Sequence, residues 1–372
     1  MDAIVTQICV LAQSADEATR LDIQKALRQV QLDLQDPKEV LMHLANSTLL
    51  GPVIRIGIDL KLFRTIATAQ KPLTVVQLAD ITGASAGLLE RLVRYLASNN
   101  VVKEVGPNEY AASNLTLIFA SENGEAMISH SFDFHALHIQ VMPEYFKETN
   151  YQDITSTKYT PFHKAFNTNL NSFDWLVQHP EHFWTEGFEL FDSEAKQIPS
   201  TPAEQSDKIF FVDVGGGNGH QSIQLGRKYP NLLGRLVLQD LPAVVGPLSP
   251  IEGVKIEAYS FFEKQHIVGA KFYYLRRIMH DWPDQDATKI LQNIAVAMTS
   301  HSRILIDDAV LPDTGAAWQV TMADLALMNS CGGVERTKRR WESLADGAGL
   351  KIEQIHSYVA STYTSVVVLA FK

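Results

Sequence analysis

Cysteine is nearly missing from this chain: Cys9 and Cys331 are the two in 372 residues. A disulfide framework is therefore excluded, and a reducing compartment is expected. Basic residues are outnumbered, 32 Lys and Arg against 42 Asp and Glu, giving a net charge of −10. Binding nucleic-acid phosphates needs a clustered positive surface, so nucleic acid is not the expected partner. No apolar run reaches the ~18 uninterrupted residues of a membrane span. The opening stretch MDAIVTQICVLAQSADEATR carries acids early and has no basic n-region, unlike a secretory signal. The expectation is a cytoplasmic protein without membrane or nucleic-acid partners, long enough for two or three domains.

What is present begins with helices. Ile4, Ile8, Leu11, Ala15, Leu21, Ile23, Leu27, Val30 and Leu34 recur at roughly helical spacing until Asp36-Pro37 breaks the pattern. Such a stripe covers its own core or packs on a second subunit. Val40 to Ile66 is a strongly apolar helix pair. Next, Thr74 starts a short helix, Gly83 ends it, and Ser85 caps a longer one through Leu96. A hairpin follows, Val101–Val105 against Tyr110–Ala112 across the turn-forming Gly106-Pro107-Asn108. Helix, helix and two-stranded wing make a winged-helix pattern. Its second helix offers Arg91 and Arg94 beside Glu90 in an acidic chain, so a scaffold or dimerisation role is expected rather than DNA binding.

Residues 121–200 read as helical and rich in aromatics, including Phe132, Phe134, Phe162, Phe166, Trp175, Phe183 and Trp184. They form either plain core or the wall of a ligand pocket. His130, His135 and His138 match no metal-ligand spacing and lack accompanying carboxylates, so no metal is expected. Polar Ser200–Lys208 reads as a connector. The expected regions are 1–120 (helical, winged), 121–200 (aromatic lid helices) and 201–372.

From Ile209 strands and helices alternate. IFFVDV is a continuous apolar run, as in a strand buried on both faces of a parallel sheet. Further strands are expected at Arg235–Leu238, Val254–Glu257, Lys271–Leu275, Ile304–Ile306, Lys351–His356 and Thr364–Phe371. Helical patterns at Gln221–Lys228, Ala287–Met298 and Lys338–Gly347 lie between them, giving a doubly wound α/β domain.

Its first βα turn is FVDVGGGNGH, where Gly215, Gly216, Gly217 and Gly219 allow backbone angles and ligand approaches that side chains forbid. In the dinucleotide register the third glycine would be His220. Asp213, two residues before the glycines, would repel a phosphate and suits a cation. S-adenosylmethionine carries a sulfonium and an ammonium without phosphate, so charge favours it over NAD. Asp240 ends the second strand, where an acid accepts ribose hydroxyls or simply caps the turn before Pro242. His280 lies just past a strand's carboxyl end, the ligand edge of open α/β sheets, as a helix-entry residue or a general base. Asp307, Asp308 and Glu335 are expected at the same edge, where a carboxylate would orient the imidazole.

The stretches VDVGGGNGH, LQDLP, FYYLRRIMHDWPDQDATKIL, ILIDDAVLP and GGVERTKRRWESLADGAGL, in this order and spacing, resemble the plant and fungal small-molecule O-methyltransferases of the caffeic-acid type. The resemblance covers nearly the whole chain and implies a class I methyltransferase (Rossmann-like) domain, bound S-adenosyl-L-methionine and a homodimer. It implies cofactor contacts from Asp213, Gly215, Gly217, Asp240, Leu241, Ser260, Phe261 and Arg276. It makes His280 the base for a hydroxyl of a small aromatic or polyketide-type secondary metabolite, assisted by Glu335 and Asp308. The substrate pocket would be lined by Phe132, His135, His163, Phe166, Trp184, Met328 and Lys338. Two stretches depart from the family. Ser260 stands where an acid usually does, and EHFWTEGFELF replaces a frequent Phe-Asn followed by a methionine. The same fold includes fungal S-adenosylmethionine-dependent pericyclases. On that alternative the sulfonium acts as a fixed charge, and His135, His163 and Lys338 are candidate donors to a substrate carbonyl, Lys338 being equally readable as a solvated helix residue.

Overall fold

The computed structural model describes residues 2–179, 209–359 and 361–372. The chain divides into two compact units.

One unit holds Asp22–Gln140. The Asp36-Pro37 pair that ends the first helical stretch also starts the next helix, Pro37–Asp59. Asp36 accepts from the Lys38 amide at 2.7 Å, Glu39 accepts from the Asp36 amide, and proline occupies a first-turn position whose N–H has no helical partner. Thr74 and Gln77 form a capping box for the helix Val75–Thr82, which Gly83 closes at φ 74°. Ser85 caps Ala86–Ser98. Strands β1 (Leu73–Thr74), β2 (Val102–Gly106) and β3 (Glu109–Ala112) pair antiparallel in the order β1-β3-β2. Leu62, Leu78, Leu89, Val93, Leu96 and Tyr110 are fully buried beneath the wing.

The other unit contains Val141–Gln178 and the strand-rich remainder of the chain. The stretch 121–200 is thus divided between the units after Gln140. Strands β4 (Phe211–Val214), β5 (Leu236–Asp240), β6 (Val254–Ala258), β7 (Phe272–Arg276) and β8 (Arg303–Leu311) form the parallel part of the sheet. β9 (Arg336–Thr337) pairs with the end of β8, and β10 (Leu350–Val359) and β11 (Thr364–Phe371) join antiparallel. The order β10-β11-β8-β7-β4-β5-β6 reverses on either side of β4, which places a crevice at the strand carboxyl ends. All four residues of β4 are buried, Asp213 among its apolar neighbours, as in a strand covered on both faces. β8 runs well past Ile306, and a helix the sequence pattern did not mark, Trp318–Cys331, precedes β9. Among the described residues, no helix is long and apolar enough to cross a membrane.

Candidate active site

The loop after β4 is shaped by its glycines. Gly215, Gly217 and Gly219 have φ of 71°, 55° and 76°, where a β-carbon is strained. Gly216 is bare for a different reason: an added β-carbon would lie 2.5 Å from both Asp213 Cγ and Leu238 Cδ1. Gly219 opens the helix His220–Lys228. Asp240, at the tip of β5, accepts from the Gly217 amide at 2.8 Å and from the Leu241 amide at 2.7 Å. Each of its oxygens keeps a further acceptor site. Leu241 beside it is exposed.

Asp213 is buried beneath the loop. It is 1% exposed, and its carboxylate accepts from Ser222 Oγ at 2.8 Å, tying the strand to the helix behind the loop. Burial pushes its carboxyl up to about 6 against the lowering effect of Ser222. Its carboxyl lies against the loop itself, where a β-carbon on Gly216 would meet it. Ser260 accepts from the Phe262 amide at 3.4 Å and so turns the chain after β6. Phe261, next to it, borders the loop: a β-carbon on Gly215 would lie 3.5 Å from its ring. Trp282 gathers Phe261, Phe262 and Phe173, at centroid distances of 5.7, 4.7 and 6.3 Å.

β7 leads from the loop's neighbourhood to the second cluster. Its last residue, Arg276, pairs with Asp307 at 3.5 Å. Asp307 also accepts from Tyr274 at 2.6 Å and from Tyr358. Asp307 and Asp308 stand together on β8, but successive residues of a strand face opposite ways, and of the two it is Asp308 that turns toward His280. His280 lies in the short turn Met279–Asp281. Its Nδ1 is 2.9 Å from Glu335 Oε1 and 3.8 Å from Asp308 Oδ1, and its Nε2 is 3.5 Å from Asp281 Oδ1. Burial pulls the imidazole down, but Asp308, Asp281 and Glu335 outweigh it and hold the ring at about 9. Burial pushes Asp281 up to about 7 and Asp308 to about 6. Both Asp308 oxygens and Glu335 Oε2 are buried without a hydrogen-bond partner among the described residues, an acceptor surplus that favours a proton held within the cluster.

In the same unit, His163 accepts at Nδ1 from the Thr160 amide at 3.1 Å, so the neutral ring carries its proton on Nε2. Burial lowers its basicity. Phe166 packs 4.5 Å from Trp175, and half-buried Met328 lies on the helix Trp318–Cys331. Of the two readings open for Lys338, pocket donor or solvated helix residue, the structure fits the second: it is 67% exposed and 3.9 Å from Glu342. In the other unit, Phe132 and His135 occupy a π-helical turn, His130–His135. His135 Nδ1 lies 3.2 Å from His138 Nε2, and burial lowers the two rings to about 3 and about 4, so both are neutral. Trp184 and EHFWTEGFELF lie outside the described residues.

Known proteins carry the same pattern. An O-methyltransferase domain matches residues 205–351, and an O-methyltransferase dimerisation domain matches 42–122. The demethylsterigmatocystin 6-O-methyltransferase of Aspergillus flavus is 38% identical, covering all of this chain and 98% of its own length. The chain belongs to the O-methyltransferase family. The O-methyltransferase lepI of Aspergillus flavus is also 38% identical, over 100% of this chain and 99% of its own. LepI solved in complex with S-adenosylmethionine superposes with a TM-score of 0.90, at 38% identity over 100% of this chain and 98% of that one. A structure described as a pericyclic reaction enzyme matches equally, with a TM-score of 0.90 at 38% identity over 100% and 99%.

Three residues around His280 give no functional signal in the sequence. Asp281 adjoins His280 in MHDW, yet an acid before a proline-led helix reads as a cap. Arg277, at φ 52°, reaches Thr364 at 3.2 Å while Asp308 and Glu335 raise its pKa against burial. Arg336 follows Glu335 and is entirely buried. A basic residue in GGVERTKRR gives no sign of burial; its neighbours Lys338, Arg339 and Arg340 are exposed.

Proposed function

We propose that this chain is a S-adenosylmethionine-dependent O-methyltransferase that acts on a hydroxyl of a small aromatic or polyketide-type secondary metabolite, with His280 as general base. The observation that carries this reading is the imidazole held between two carboxylates, Glu335 at Nδ1 and Asp281 at Nε2.

The glycine loop, Asp240, Leu241, Phe261 and Arg276 fit the cofactor: the loop leaves backbone free of β-carbons, and Asp240 retains acceptor capacity for ribose hydroxyls. The surrounding excess of carboxylates suits a sulfonium and an ammonium. When bound, S-adenosylmethionine supplies an electrophilic methyl group. Neutral His280 donates from Nδ1 to Glu335, which leaves the Nε2 lone pair to accept the substrate hydroxyl's proton. The resulting imidazolium is stabilised by Glu335 on one edge and Asp281 on the other, with Asp308 behind. Such a base contributes ~10²–10⁴-fold, the rest coming from positioning.

His163 favours a second reading. Its ring is a neutral donor fixed at Nε2, suited to polarising a substrate carbonyl without moving a methyl group, as a pericyclase or dehydratase needs. The two readings part in the product. A gain of one methyl with S-adenosylhomocysteine supports transfer; an isomer or dehydrated product with the cofactor unspent supports the second. The dimerisation match and the exposed Ile4, Leu11, Leu41 and Met42 support a homodimer.

A further inference from the structure

Residues 333–336 touch the His280 turn at several points, and Arg336 has no part in the mechanism above. Its side chain is 0% exposed. A buried guanidinium is tolerated where its N–H groups find acceptors, and these do. Nη1 donates to the Met279 carbonyl and Nη2 to the Trp282 carbonyl, both at 2.7 Å. Nε donates to Asp284 at 2.8 Å, and the guanidinium carbon sits 5.2 Å from the Trp341 ring centre. The two carbonyls bracket His280 and Asp281, so one rigid fork spans the turn. From the same segment, the Val334 amide donates to the His280 carbonyl at 2.7 Å. Gly333 approaches so closely that a β-carbon would lie 2.4 Å from that oxygen. Glu335, between Val334 and Arg336, then meets the imidazole itself.

We propose that Arg336 is a positioning residue: it fixes the backbone of Met279–Trp282 so that His280 meets Glu335 on one edge and Asp281 on the other. It acts through His280, and its catalytic meaning rests on the reading of His280 as the base. An Asp284 ion pair alone would anchor only the helix that begins there. The bonds to Met279 and Trp282 place the turn, and a lysine's single point charge cannot make all three contacts.

The test follows the His280 ring by NMR in the full-length protein labelled at histidine Cε1, its signal assigned by loss in His280→Gln. The wild-type ring is expected to titrate near about 9. In Arg336→Lys, and independently in Gly333→Ala, which pushes the turn from its other side, the midpoint is expected to fall by about one unit or more as the ring leaves its carboxylates. An unmoved midpoint in a folded variant, with only the thermal midpoint lowered, makes Arg336 a stability residue and overturns the proposal. If Arg336→Lys does not fold, Arg336→Gln, an uncharged side chain without the guanidinium fork, is read in its place, with Gly333→Ala as the separate check that the turn sets the ring's midpoint. Turnover plays no part in this readout. A chain that transfers no methyl but shows the shift keeps Arg336's role and loses the transferase reading; an active enzyme with an unmoved ring does the reverse.

Discussion

Glu335 and His280 stand 55 positions apart in the chain and 2.9 Å apart at Oε1 and Nδ1. The carboxylate fixes which ring nitrogen faces the substrate and stabilises the proton once taken. Glu335→Gln keeps the shape and removes the charge. Methyl transfer is expected to fall by roughly 10²-fold with cofactor affinity nearly unchanged. Steady-state kinetics beside calorimetric titration of S-adenosylmethionine checks this; an unaffected rate would remove Glu335 from the machinery.

The raised basicity of His280 gives the reaction a pH signature. A base held near about 9 is mostly protonated at neutral pH, so kcat/KM should climb between pH 7 and 9 before levelling. A profile already flat at pH 7 would contradict it.

Stability should run the other way. His280 binds its proton more tightly folded (about 9) than unfolded (~6.5), so its contribution is complete below ~6.5 and is lost as pH rises through about 9. Asp281 and Asp308, also raised, cost the folded state stability as pH rises from the unfolded carboxyl range (~4) to their folded values of about 7 and about 6, and no further above that. The thermal midpoint is therefore expected to drop from pH 6 to 9.5, with His280 carrying the part above pH 7. His280→Gln should flatten the alkaline part of that slope, and an equally steep slope in the variant would assign it elsewhere.

The glycine loop offers a steric test. Gly216→Ala drives a β-carbon into Asp213 and Leu238, so the loop must shift. About 1–3 kcal/mol of stability and at least tenfold in cofactor affinity are expected to be lost. Wild-type affinity measured by calorimetry would show that the loop does not hold the cofactor.

Much of this was legible locally. Thr74, Gly83 and Ser85 punctuate the winged helix because caps act within one turn. β4 announces itself because a strand buried on both faces is apolar at every position but Asp213. The carboxyl-edge placement of His280 and Glu335 followed from strand order. Side-chain direction did not. Asp213 turns inward, Asp307 turns from Asp308, and Arg336 is swallowed while Lys338 stays in water, each decided by packing that no spacing encodes.

The assembly is a separate prediction. Light scattering should give about twice 41.4 kDa, and Leu41→Glu combined with Met42→Glu, at positions 66% and 70% exposed in the single chain, should weaken the dimer. A wild-type mass of one chain would refute it.

Whether the methyl group leaves the cofactor with His280's help is decided by one labelling experiment. Wild type and His280→Gln are incubated with S-adenosylmethionine bearing a deuterated methyl group and a panel of phenolic acceptors, and products are read by mass spectrometry. Labelled methyl in the wild-type product, matched mole for mole by S-adenosylhomocysteine, is expected. His280→Gln should bind the cofactor and lose ~10²–10⁴-fold in labelling. Unlabelled isomer or dehydrated product with cofactor unspent, or equal labelling by the variant, would contradict it.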